Sequence, residues 1–366
     1  MGNTATNTAS NATDSSLPVY ILNVSYWEQI LLAFLLGLVA IAGLIGNSMI
    51  IAAVAFSKKL QTPTNAFVTS LSVADLLTSF TLIWYIVSVL GKNEWPIPGA
   101  YWICQLTGFM IFACVGASIW TLGAISINRL IHITKPIWYK KIFTSWKLAI
   151  LVAIPWVIPV ACLLISQATG IVAYGYNKLA LVCSTIFDTF EFALVQNVIC
   201  VFPFLAIVGS YIWIYVYVKK HFWEQKKHFS QSANDNSHSL SMQISTSEFA
   251  ITEAGHDPNC AIAVRRRKQI SKQEIAITKN LAVVVIGFFA CFVPYFILLA
   301  IRHTINVEHV YFYVKGMPFV NSSINFIIYA MKHPDFKVVL RHIMRCSYAD
   351  IPQPSPILKY LLSRRN

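Results

Sequence analysis

Charge is what this chain has least of. Only 12% of its 366 residues are Asp, Glu, Lys or Arg, where a soluble domain carries about a quarter, so an ordinary water-facing globule is excluded. No paired acids lie within an apolar run, and no metal-ligand cluster or glycine-rich phosphate loop occurs, which argues against an enzyme. No internal repeat appears, which weighs against a carrier built from inverted halves. The first 25 residues are polar and lack a basic start followed by an apolar core, so no cleaved leader is expected.

What is abundant is apolar surface: 56% of the chain is hydrophobic. Seven runs, roughly 29–56, 65–90, 103–127, 147–168, 190–218, 278–301 and 309–331, are each long enough to cross a hydrocarbon layer about 30 Å thick. The seventh is the weakest, being interrupted by Lys315, Asn321, Ser322, Ser323 and Asn325. The expected fold is all-α, a seven-transmembrane helix bundle with a short amphipathic inner helix after the seventh span. The net charge of +13 is distributed by side. With the first terminus outside, only Lys92, Lys178, Arg302 and Lys315 fall outward among 28 basic residues. That bias orients the chain in a membrane, and it makes anionic lipid or an acidic protein a better partner than nucleic acid.

The boundaries follow. Residues 1–27 form an extracellular terminus with glycosylation acceptors at Asn11 and Asn23. Residues 28–333 form the membrane domain, within which 223–268 is a polar inner loop expected to be disordered. Residues 334–346 read as an amphipathic helix on the inner membrane face, and 347–366 as a cytoplasmic tail. Cys104 and Cys183 fall at outer positions where an oxidising compartment lets them pair. Cys114, Cys162, Cys200 and Cys291 read as small buried hydrophobes. Cys346, beside the basic amphipathic stretch, is a palmitoylation candidate.

Two full charges lie deep in apolar stretches, Asp75 and Arg129. A carboxylate at mid-bilayer costs about 2.5–3.5 kcal/mol on insertion scales, so Asp75 is expected to face a polar interior and act there. Their surroundings carry a resemblance: Gly46-Asn47, Leu71-Ser-Val-Ala-Asp75-Leu-Leu77, Cys104, Asn128-Arg129, Trp156, Pro203 with Tyr211, Phe292-Val293-Pro294 and Asn325-Phe-Ile-Ile-Tyr329 occur in order, with Cys104 25 residues before Arg129. Over about 30–345 the sequence resembles the rhodopsin-like (class A) family of G-protein-coupled receptors.

The resemblance implies a plasma-membrane receptor without enzymatic chemistry, passing the binding of an extracellular ligand to a heterotrimeric G protein. It implies a sodium site at Asp75, Ser118, Asn321, Ser322 and Asn325, whose oxygens suit a hard cation; a water-filled network satisfying Asp75 is the alternative. It implies an inner switch in which Arg129 pairs with Glu274 at rest and with Tyr211 and Tyr329 when open. A packing triad of Ile119, Pro203 and Phe288, beside Phe292, links the pocket to that switch. Asn128 stands where the family has Asp, Leu130 where it has Tyr, and Phe326 where it has Pro. The missing acid is expected to loosen Arg129 and raise resting activity.

Ile111 holds the position of the amine receptors' Asp, and Phe319 that of the opsins' lysine, so neither an amine nor retinal is expected. The expected pocket, from Tyr85, Ile111, Phe112, Glu191, Tyr295, Phe296, Leu299, Arg302, His303, Tyr311 and Lys315, has an aromatic floor and a mixed-charge rim. It suits a peptide or a small non-amine ligand such as an amphipathic acid. The competing reading is an ion-coupled transporter or channel using Asp75.

Overall fold

The computed structural model describes residues 24–364 apart from 93, 179, 187–189, 244–281, 284, 299–300 and 302–307. A chain surrounded by hydrocarbon must satisfy its own backbone, and helices do so within each segment. Helix α1 (Tyr26–Phe56) starts at a capping box: Ser25 accepts from the Glu28 amide, and the Glu28 carboxylate accepts in return from the Ser25 amide. Helix α2 (Pro63–Val89) starts at the Thr62 cap with Pro63 in the first turn, where its missing N–H is not needed. Helix α3 (Tyr101–Thr134) runs down the middle of the bundle, a short α4 (Pro136–Ile142) follows it, and α5 (Ser145–Ala168) carries Pro155 and Pro159 internally.

Between α5 and the next helix, β1 (Tyr174–Asn177) and β2 (Val182–Thr185) form an antiparallel hairpin in which Tyr176 pairs with Cys183. The Cys104–Cys183 disulfide, with Cα atoms 5.2 Å apart, ties the hairpin to the start of α3, as the outer positions of these cysteines led one to expect. Ser88 adds a second tether: its hydroxyl accepts from the Cys183 amide at 3.1 Å.

Helix α6 (Phe190–Gln243) is longer than its apolar run. Residues 223–243, expected to be disordered, continue the helix, because neither Gly nor Pro occurs between Ser210 and Gln243 to stop the ladder. Helix α7 (Val285–Leu298) follows. The seventh crossing is divided into α8 (Glu308–Val314) and α9 (Met317–Lys332), a correction to the single run anticipated. The break is at Lys315-Gly316, where Pro318 cannot donate to the Val314 carbonyl one turn earlier. Helix α9 then runs unbroken through Phe326, whose ring lies against Gly46, a position with no room for a Cβ.

Helix α10 (Pro334–Met344) occupies the stretch expected to be amphipathic and buries Phe336, Val339 and Leu340 against the bundle. Beyond it, a 3-10 turn (Tyr348–Asp350) and α11 (Pro356–Ser363) fold back onto the end of α1. Among the described residues one buried cluster runs from Ile50 and Leu71 through Ile119 and Phe288 to Phe336, and another lies under the hairpin around Leu36, Tyr85 and Phe319. A third gathers Leu163, Tyr174 and Phe192, and a small one surrounds the disulfide with Tyr176.

Candidate functional site

Asp75 is completely buried at the centre of the bundle. Such a carboxylate must have its oxygens satisfied, and helices α3 and α9 supply the donors. Ser118 donates its hydroxyl to Oδ1 at 3.2 Å and Asn325 donates Nδ2 to Oδ2 at 2.7 Å. Ser322 is a third hydrogen-bond partner. Asn47, fully buried on α1, donates Nδ2 to the carbonyls of Gly43 and Ser322, both at 2.9 Å, and so holds α1 to α9 beside the acid. Of the residues proposed for a cation site, Ser118, Ser322 and Asn325 thus meet Asp75, and Asn321 is buried next to Ser322 on α9. The side-chain oxygens of Asn47, Asn321 and Asn325 are buried with no hydrogen-bond partner among the described residues. Amide and hydroxyl oxygens around a single carboxylate form a donor set that fits a hard monovalent cation.

Toward the basic end of the bundle, Asn128 is fully buried and Arg129 nearly so. Adjacent residues on a helix point apart. Asn128 turns to α2, where Thr64 donates its hydroxyl to Asn128 Oδ1 at 2.8 Å. No local signal in the sequence marked Thr64, because the pairing exists only once α2 and α3 are in register. Arg129 lies within electrostatic reach of Tyr211, Tyr329 and His333, so the arginine and both tyrosines expected to serve it are brought together. Glu274, its anticipated acidic partner, lies outside the described residues. His333, at the joint of α9 and α10, is packed edge-on against Phe336 at 5.1 Å. Burial, with Arg129 assisting against the opposing pull of Asp335, holds its imidazole down to about 4.

Helices α3, α6 and α7 meet at an aromatic hinge. Pro203 of α6 packs against Gly123 of α3, where an added Cβ would meet the proline at 3.2 Å. Phe288 stacks on Phe292 with centroids 4.3 Å apart, and Ile119 lies in the same buried cluster. Trp156 donates its indole N–H to Ser70 Oγ at 2.9 Å, fixing α5 on α2.

Under the hairpin is a cavity of about 900 Å³, counting the part open to solvent. Tyr85, Ile111, Phe112, Tyr295, Phe296, Tyr311 and Lys315 line it, as expected, together with Phe292 and Phe319. Tyr295 stacks on Tyr311 at 6.0 Å and Tyr85 meets Phe319 edge-on at 5.0 Å. Glu191, expected on the rim, is instead exposed on α6 and does not line the cavity. Leu299, Arg302 and His303 lie outside the described residues, as do Asn11 and Asn23. Sequence reasoning missed Gln196 and the roof of Ala180, Val182, Cys183 and Ser184, which the disulfide swings over the cavity. Lys315 is buried in the wall: its ammonium donates to the Ala180 carbonyl and stands 4.2 Å from the Phe312 ring centroid. No carboxylate lines the cavity among the described residues.

The profile of the 7 transmembrane receptor (rhodopsin family) matches residues 46–329. The chain is 26% identical over 356 residues to the 5-hydroxytryptamine receptor 1B of Equus caballus, covering 89% of each. It is 35% identical over 156 residues to the Dopamine D2-like receptor of Drosophila melanogaster. That match takes in 43% of the chain and spans only 16% of the dopamine receptor's length. In three dimensions it is similar to the crystal structure of squid rhodopsin, with a TM-score of 0.69 and 21% identity over 90% of this chain and 88% of that one.

Proposed function

The chain belongs to the rhodopsin family of seven-transmembrane receptors, and from that premise we propose that it carries an extracellular, non-amine signal to a heterotrimeric G protein. On this reading the hairpin end faces outward in the plasma membrane, the α10 end faces the cytoplasm, and the chain performs no covalent step. A ligand acts by binding one arrangement of the bundle better than another.

The observation that carries the ligand class is the charge of the cavity wall. Relatives named for dopamine and serotonin carry amine names, and an ammonium needs an acid opposite it. Here Ile111 occupies that position, and Lys315 is the charged group in the described lining. A lysine among aromatic rings favours a ligand with an apolar body and a carboxylate, whether a small acid or a peptide with an acidic end.

Transmission runs down α3. Contacts at Ile111 and Phe112 bear on Ile119 and the Phe288–Phe292 stack, then on Asp75 one layer below, then on Arg129 among Tyr211 and Tyr329. Asp75, Ser118, Ser322 and the amide oxygens of Asn321 and Asn325 would hold a sodium ion, which would supply the positive charge that the buried carboxylate lacks. On this reading Cys346, exposed just past α10, would carry an acyl chain into the inner leaflet.

The test is a nucleotide-exchange screen of the receptor in membranes, with aromatic carboxylates, acidic peptides and biogenic amines as ligands. An acid agonist is expected to lose roughly 10- to 100-fold in potency on Lys315→Gln, the worth of a charged hydrogen bond of about 1.5–3 kcal/mol. The matching amide should lose little. Activation by amines that is indifferent to Lys315→Gln would overturn the ligand class.

A further inference from the structure

The tail after α10 is clamped to the inner end of α1 by main-chain pairing. The Lys58 amide donates to the Gln353 carbonyl at 2.9 Å, the Ser355 amide to the Phe56 carbonyl at 2.8 Å, and the Ser57 hydroxyl to the Pro352 carbonyl at 2.8 Å. Ser57 and Pro354 form an antiparallel bridge. Ile351 and Leu358 are buried in the main core cluster, and Tyr348 meets Phe56 edge-on at 6.1 Å. Ser355 caps α11 by accepting from the Leu358 amide at 3.2 Å. The position of α11 is therefore fixed by the last turn of a membrane span, at the level where that span leaves the bilayer.

At about 100° per residue, α11 divides into three sectors. Leu358 and Leu362 face the bundle. Lys359 and Ser363 are polar and exposed. The third sector holds Ile357, Tyr360 and Leu361, which are 56%, 57% and 48% exposed. Apolar side chains so exposed need a cover. Arg364 shares that sector, its guanidinium 5.3 Å from the Tyr360 ring centroid. Lys359 lies on the helix, Lys58 is tied through its amide to the preceding Gln353, and α11 itself contains no acid. An apolar strip that includes Arg364, beside Lys359 and pinned to the end of a span, suits a surface that is apolar below and anionic above.

We propose that α11 is a second membrane-surface helix, docking its Ile357–Tyr360–Leu361 strip into the anionic inner leaflet and so tying the far end of the tail to the bilayer. The inference rests on the orientation proposed above, but its readout is local and does not depend on signalling. The full-length receptor, with Cys346→Ser, would carry a spin label at Leu361→Cys or at Ser363→Cys in lipid nanodiscs of phosphatidylcholine with or without phosphatidylserine. With phosphatidylserine, the ratio of oxygen to nickel-chelate accessibility should exceed unity at 361 and fall below it at 363. Lys359→Glu with Arg364→Glu should abolish the difference between the two lipid compositions. Equal access of the nickel chelate to both labels, or shielding of 361 from both reagents as beneath a protein partner, would overturn the proposal. Loss of ligand-driven exchange alone would count against the receptor reading and leave this one standing.

Discussion

The Thr64–Asn128 hydrogen bond lends itself to a quantitative test. Both residues are buried, the bond is 2.8 Å long, and it joins α2 to α3 one residue before Arg129. Thr64→Val keeps the shape and removes the donor, leaving Asn128 Oδ1 stranded, whereas Asn128→Ala removes the acceptor. Each single change is expected to destabilise the receptor by about 1–3 kcal/mol, the cost of a buried polar group left without its partner. Melting of the purified receptor should fall by about 2–4 °C for each kcal/mol lost. The double variant should not add: the coupling expected for one neutral hydrogen bond is about 1 kcal/mol. If the bond belongs to the resting arrangement alone, the same coupling appears in ligand-free nucleotide exchange. Because about 1.4 kcal/mol is a factor of ten, Thr64→Val should then raise the basal active-to-resting ratio roughly five-fold or more. Strict additivity in melting temperature would show that the bond contributes nothing. Coupling in melting without any change in basal exchange would show that it persists in both arrangements.

Two further outcomes are expected. Gly46→Ala brings a Cβ to 2.5 Å from a Phe326 ring carbon, so it should cost about 1–3 kcal/mol in overpacking. Phe326→Leu should recover part of that loss, and a neutral Gly46→Ala would refute the close packing that takes the place of the family's proline. His333 titrates near 4 when folded against an ordinary 6.5, so the unfolded chain takes up the proton first. Its contribution is whole above about pH 6.5 and is lost as pH falls toward 4. Melting curves between about pH 7 and about pH 5 should therefore show an acid sensitivity that His333→Gln reduces; an unchanged slope would remove His333 from the account.

The main features were legible because they answer to strong constraints. Long apolar runs announce membrane helices, and an acid inside one must find donors, so the company of Asp75 with Ser118, Ser322 and Asn325 could be anticipated. The cavity's aromatic wall followed from register along α3, α7 and the seventh crossing. What escaped depends on tertiary detail or on competing signals. The polar composition of 223–243 resembled disorder, yet a segment lacking both Gly and Pro simply prolonged the helix. The division at Gly316 was hidden within a run already weak in hydropathy. Glu191 was assigned to the pocket from its place at the outer end of the fifth span, while its exposed face of α6 turns it away. An eight-residue helix such as α11 has no stability of its own, and only its pairing with Phe56, Ser57 and Lys58 reveals it.

The most direct test of the central claim measures nucleotide exchange on a panel of heterotrimeric G proteins, together with ion flux, in vesicles bearing the wild-type receptor or Arg129→Ala at equal density. Exchange that the wild type catalyses and Arg129→Ala abolishes, with no flux in either, is the predicted result. An ion current that survives Arg129→Ala and disappears with Asp75→Asn, unaccompanied by exchange on any G protein, would contradict it.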